Sequence, residues 1–257
     1  MSEVVKVVGL TPENYRELGC PCFLNPKHPA HLTKLEWLKD RFAEGFTIKS
    51  LYAENQKRPI GFIEYVPGEF AWRAVDAPDY LFIHCIWISP NKYKEQGNGS
   101  LLVQECINDA AAQGKAGVAV VTSEGPFMAS KALFLKNGFE QVAQDDHFEL
   151  MAKNLKADCG LPKFKDWRTE LAKYMGLNIV YSNQCPWVAR SIDETVEIAK
   201  EKRLDLKVTE LKTAQDAQNA PSIYATFTLI YDGKILADHY ISSTRLLSVL
   251  KKELKLI

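Results

Sequence analysis

Four groups of residues in this chain have the types and spacing to do chemistry. The first is Lys94-Glu95-Gln96-Gly97-Asn98-Gly99-Ser100, which leads straight into a helical pattern. Two glycines two apart allow positive φ and let a ligand approach the backbone closely. Successive N–H groups at a helix N-terminus form a nest for an anion, reinforced by the helix dipole. The run is therefore a candidate pyrophosphate cradle, although a tight strand-to-helix connection would look the same. It has neither the Gly-Lys-Ser/Thr ending of a Walker A loop nor the spacing of a dinucleotide fingerprint. The second group is Cys20, Cys22, His28 and His31, spaced C-x-C-x5-H-x2-H in a proline-rich stretch. These are the ligand types of tetrahedral zinc, but not the separations of ordinary structural sites. A metal centre and a stiff connection with incidental cysteines both stay open. The third group is His84 and Glu64, either of which could remove a proton; imidazole titrates near neutrality, and both also suit purely structural places in a sheet. Cys85 alternates with His84, so only one of the two can face the cleft. The fourth is Cys185, followed by Pro186-Trp187 at the start of a helical pattern, where a helix N-terminus favours thiolate. Three residues on stands Val188, so a C-x-x-C pair is absent.

Composition narrows the classes. At 46% hydrophobic and 25% charged, the 257 residues match an ordinary globular protein. Lys+Arg and Asp+Glu are equal at 32 each, which argues against affinity built on neutralising many phosphates and so against a nucleic-acid partner. A local basic pocket for one anionic ligand is still allowed. The most apolar stretch, Leu81 to Ile88, is interrupted by His84 and is far shorter than the ~18 residues of a membrane span. The N-terminus lacks an export signal, and six cysteines are too sparse for a disulfide scaffold. The expectation is a cytoplasmic protein without a membrane partner.

The elements that must position these residues follow from periodicity. Ile48–Glu54 and Arg58–Val66 read as strands joined by a turn, and Leu81–Ser89 as a buried strand. Ser100–Gln113 repeats apolar residues at helical spacing. Ala116–Thr122 reads as a strand, Met128–Lys136 as a short helix, and Phe139–Met151 as one or two closing strands. A mixed α/β sheet follows. Earlier, His31–Glu44 reads as a helix stopped by Gly45. Gly160 and Pro162 mark a linker, giving three expected parts: residues 1–155, a linker with a short helix at 156–176, and a second domain at 177–257.

The glycine loop resembles the acetyl-CoA loop of the GNAT superfamily of N-acetyltransferases, written Gln/Arg-x-x-Gly-x-Gly/Ala. Lys94 takes the first place, and Gly97 and Gly99 match. Ile86-Trp87-Ile88-Ser89-Pro90 looks like that family's central strand, and Ser130-Lys131-Ala132-Leu133-Phe134-Leu135-Lys136-Asn137-Gly138-Phe139 resembles its next motif, A-x-x-L-Y-x-x-x-G-F. The resemblance implies that Lys94 to Ser100 bind the pyrophosphate of acetyl-CoA and that Ile86, Trp87 and Ile88 carry the pantetheine arm. It also places the Cys20–His31 loop at the acceptor pocket. The family's usual acid is a tyrosine where this chain has Phe134, which cannot donate a proton.

The second domain reads β-α-β-α-β-β-α, with a hairpin across Asp232-Gly233, and looks thioredoxin-like. Cys185 stands where such domains carry their first redox cysteine. Pro221, a candidate for their cis-proline, lies further upstream of Gly233 than that position usually does. The pairing of the two domains resembles YoaP-type acetyltransferases. The expected activity is transfer of an acetyl group from acetyl-CoA to a small amine by direct attack in a ternary complex, with His84 or Glu64 as base and no metal. Cys20, Cys22, His28, His31 and Cys185 are expected near the acceptor. The alternative is a non-catalytic sensor that binds a metal or thiol through those same five residues.

Overall fold

The computed structural model describes residues 4–18, 22–54, 56–125 and 128–254. Its contacts divide the chain into two units: Met1–Pro26 with Leu35–Ala71 and Val75–Phe164, and Lys27–Lys34 with Trp72–Ala74 and Lys165–Ile257.

In chain order the first part carries strand β1 (Val5–Leu10), helices α1 (Tyr15–Leu18) and α2 (Pro29–Arg41), and strands β2 (Thr47–Ala53), β3 (Gly61–Pro67), β4 (Val75–Asp76) and β5 (Tyr80–Ile88). Helix α3 (Asn98–Ala112), strand β6 (Gly117–Thr122), helix α4 (Lys131–Lys136) and strands β7 (Glu140–Asp145), β8 (Phe148–Asn154) and β9 (Lys163–Phe164) follow. Seven strands form one mixed sheet in the order β1-β2-β3-β5-β6-β8-β7, in which only β5 and β6 run parallel. The two-residue strands β4 and β9 pair separately, so the expected linker contributes a short strand.

Burial explains the arrangement. Every residue of β6 is buried, as befits a strand covered on both faces. Leu102, Val103, Cys106, Ile107 and Ala110 of α3 recur at helical spacing and pack on Ile63 and Tyr65 of β3, Leu81, Ile83 and Ile86 of β5, and Val118 and Val120 of β6. Phe134 of α4 and Phe139 join the same cluster, which puts α3 and α4 on one face of the sheet. On the same face, Lys49 of β2 bridges to Glu105 (2.9 Å) and Asp109 (2.8 Å) of α3, and Tyr65 bonds to Asp109.

The second unit contains α5 (Trp167–Leu171), β10 (Leu177–Tyr181), α6 (Ala189–Glu201), β11 (Leu206–Glu210), α7 (Ala214–Gln218), β12 (Phe227–Tyr231), β13 (Lys234–Ala237) and α8 (Ser243–Leu254). Its four-stranded sheet has the order β11-β10-β12-β13, with β10 and β11 parallel. The core joins Ile179, Phe227 and Leu229 to Leu246 and Leu250 of α8. The β-α-β-α-β-β-α order is the one read from the sequence. The Ala220–Pro221 bond is trans, so Pro221 is not a cis-proline; the turn into β12 instead carries a left-handed Ala225 (φ +56°).

Candidate active site

Two irregularities of the central strands build the site. The parallel ladder between β5 and β6 runs from Tyr80–Gly117 to Ile83–Val120 and stops there. Beyond it, β5 stays paired to β3 as far as Ile88, and β6 stays paired to β8 as far as Thr122. The sheet therefore opens between Ile83 and Ile88, leaving backbone groups on that edge of β5 without a strand partner. At the same place β5 carries a bulge: Glu64 pairs with Cys85 but Tyr65 pairs with Ile83, so His84 is the extra residue. Ile83 and Ile86 both face α3, with two residues between them instead of one. His84 and Cys85 are therefore both turned to the opposite face. This corrects the strict alternation read from the sequence, which allowed only one of the two there.

Glu64 lies on that opposite face and is 2% exposed; Cys22, itself buried, donates its thiol to Glu64 Oε1 at 3.8 Å. The His84 ring stacks on Phe46 with centroids 5.4 Å apart and meets Phe82 edge-on at 5.5 Å. A carboxylate, an imidazole and two thiols are thus gathered where the sheet opens. Hydrogen-bond partners are a requirement for a carboxylate so deeply buried, and the Cys22 thiol is one of them.

On the α3 face, the candidate cradle follows its glycines in part: Gly97 is left-handed, while Gly99 already lies within α3. Glu95 (φ +60°) and Gly97 (φ +82°) are left-handed, and Gly97 is the N-cap residue of α3. No side chain caps this end, which leaves the first-turn N–H groups available to an anion. A Cβ placed on Gly97 would meet no protein atom within 4 Å, whereas one on Gly99 would come within 3.2 Å of Leu133 Cδ1. Ile86, Trp87, Ile88, Lys94, Glu95, Gly97, Gly99 and Ser100 all line one cavity of about 450 Å³. The side-chain amides of Gln96 and Asn98, both also expected at the cradle, donate to the carbonyls of Lys92 (2.6 Å) and Tyr93 (2.9 Å) and brace the loop. The opposite wall is Met128, Ala129, Ser130, Leu133 and Lys136; sequence reasoning placed the last three in a motif and the first two only in the short helix read there, and none of them in the site.

A family model for the acetyltransferase (GNAT) family matches residues 13–139, and one described as YoaP-like matches residues 206–247. The uncharacterized N-acetyltransferase YoaP of Bacillus subtilis (strain 168) is 30% identical over 243 residues, which cover 91% of this chain and 94% of that one. The chain belongs to the GNAT acetyltransferase family. Similar solved structures include the PaiA N-acetyltransferase of Thermoplasma acidophilum in complex with coenzyme A, 14% identical, covering 59% of this chain and 99% of that one with a TM-score of 0.42. Another is the GNAT N-acetyltransferase YhbS of Escherichia coli in complex with CoA, 16% identical, covering 65% and 92% with a TM-score of 0.44.

Other expected residues of this GNAT chain have structural places. Phe134, at the position of the family's usual tyrosine, is fully buried and packs edge-on against Phe139 at 5.3 Å. Of the cysteine–histidine stretch, Cys20 lies outside the described residues. Cys22 goes to Glu64, and His28 accepts from the backbone N–H of Ala30 at 3.1 Å in the first turn of α2. His31 is 5% exposed, and burial holds its imidazole below the ordinary range. Among the described residues no three His, Cys, Asp or Glu side chains are grouped to hold a metal. Cys185 is half-buried and is the N-cap residue of the single 3-10 turn that leads into α6, packed against the second core. The residue before it is clamped: Lys34 donates to the Gln184 carbonyl (2.7 Å) and Arg73 to its side chain (2.6 Å). Among the described residues no helix is long and apolar enough to cross a membrane.

Proposed function

We propose that the chain transfers the acetyl group of acetyl-CoA to a small amine by direct attack, with Glu64 taking the proton from the attacking ammonium, directly or through water. The reading is carried by the coincidence of the sheet opening with the β5 bulge. One face there has an anion cradle and a cavity; the other has Glu64 and His84. The first-turn N–H groups of α3 and Lys94 would hold the pyrophosphate, with no protein atom in the way at Gly97. The unpaired edge of Ile86 to Ile88 would take the pantetheine arm along the strand, with a backbone N–H near Ile88 polarising the thioester carbonyl.

In that geometry the amine, once neutral, attacks the carbonyl carbon, the carbon–sulfur bond breaks, CoA leaves as thiolate, and the remaining extra proton on the nitrogen passes to water as the amide forms. Holding both reactants at one opening supplies the entropic advantage. Phe134 has no proton to give, so departure of the thiolate is unassisted from that position. His84, held between Phe46 and Phe82, is the alternative base.

A screen of small amines that follows CoA release identifies the acceptor, and two variants then separate the bases. Glu64→Gln is expected to lower kcat by about 10²- to 10⁴-fold while acetyl-CoA affinity stays within a factor of two or so. His84→Asn is expected to change kcat by less than about tenfold. The reverse ranking would transfer the role to His84, and full activity in both variants would remove both residues from the mechanism.

A further inference from the structure

We propose that Lys136 recognises the 3′-phosphate of coenzyme A, so that this chain distinguishes acetyl-CoA from its 3′-dephospho form. The inference rests on the cofactor reading above. Coenzyme A carries two separate anionic groups, the pyrophosphate and the ribose 3′-phosphate. The first turn of α3 offers one concave set of N–H groups, which suits one of them. The second needs a donor elsewhere on the cavity wall.

The cavity lining contains two cations, Lys94 and Lys136, and one carboxylate, Glu95. Lys94 belongs to the cradle, with its ammonium 5.7 Å from the centroid of the Trp87 ring. Lys136 is on the opposite wall, at the last residue of α4, and is exposed. Its ammonium forms no ion pair or hydrogen bond among the described residues. Its neighbours are differently employed: Lys131 is bound to Glu149 at 2.5 Å, and Lys153 donates to the Asn137 carbonyl at 2.7 Å.

The backbone beneath Lys136 is held relative to the cradle. Asn137 Nδ2 donates to Ser100 Oγ (3.1 Å) and to the Leu133 carbonyl (2.7 Å). The first of these bonds joins the end of α4 to the turn of α3 whose N–H groups form the nest. The backbone that carries Lys136 is thereby held at a set offset from the pyrophosphate position, the arrangement from which its side chain would read a second phosphate on the same ligand. A cation at a helix C-terminus also complements the dipole, but that role would not separate a phosphate from a hydroxyl.

The test is calorimetric titration of the full chain, with acetyl-CoA and with 3′-dephospho-acetyl-CoA. Wild type is expected to bind the phosphorylated form about tenfold more tightly, the scale of one partly solvated charge-assisted contact. Lys136→Gln should weaken acetyl-CoA by that factor and leave the dephospho form unchanged, abolishing the ratio. Lys94→Gln should weaken both forms alike and keep it. A ratio of one in wild type, a ratio retained in Lys136→Gln, or a ratio lost only in Lys94→Gln overturns the proposal. Failure of wild type to bind either form would instead remove the cofactor reading beneath it.

Discussion

At Gly97 the backbone is left-handed (φ +82°) and faces open space, a combination that ties one residue to the ligand more than to the fold. A side chain there costs about 1 kcal/mol of backbone strain and projects where the anion belongs. Gly97→Ala is therefore expected to shift the urea midpoint only slightly while weakening acetyl-CoA by more than about tenfold. A large stability loss with unchanged affinity would contradict that division. Such glycines were legible in the sequence as one of two things, an anion cradle or a tight strand-to-helix connection, and the open space at Gly97 favours the first. Lys136 was not, since lysines are common at helix ends and only the cavity sets this one apart. The Cys22–Glu64 contact joins residues 42 apart in the chain, and no local pattern reports such a pairing.

Elements, more than single side chains, decide where the chemistry can occur. The bulge at His84 could not be read from Tyr80 to Ile88, because that strand is apolar on both sides and has no alternation whose slip would show. That α3 is a helix and β6 a strand was readable all the same: one has a single apolar stripe at helical spacing, and the other is a short apolar run. Edge strand β1, with burial that does not alternate cleanly, offered no such pattern. Two element-scale outcomes follow. Asn137→Ala removes the bond from α4 to Ser100, worth about 1 kcal/mol, and should raise the KM for acetyl-CoA about fivefold with kcat little changed. A fall in kcat at constant KM would instead place Asn137 at the reacting atoms. In α2, burial lowers the His31 pKa below its ordinary 6.5. The folded chain then binds this proton less readily than the unfolded one, so stability falls as pH drops through 6.5 and keeps falling until the lower folded value is reached. Urea midpoints measured from about pH 8 to about pH 5 should decline more steeply for wild type than for His31→Gln. Parallel profiles would show that His31 contributes nothing to the acid sensitivity.

At the scale of the molecule, the seven-stranded sheet would be continuous but for one parting, and everything assigned to the reaction is grouped around it. The balanced charge of the chain, 32 basic against 32 acidic residues, agrees with a local phosphate site in place of an extended basic surface. The YoaP-like match at residues 206–247 belongs to the second unit, whose core and sheet are its own. A ligand that binds only the folded state stabilises it by mass action, by about 2.7 kcal/mol at a concentration one hundred times its Kd. Acetyl-CoA is accordingly expected to raise the thermal midpoint of wild type and to leave that of Gly97→Asp unmoved. The most direct measurement is a calorimetric titration of these two proteins with acetyl-CoA. The account predicts binding near 1 μM, ~8 kcal/mol, in wild type and none in Gly97→Asp, whose carboxylate would stand against the pyrophosphate. No heat in wild type at two temperatures, or equal affinity in the variant, would contradict the assignment of the cradle.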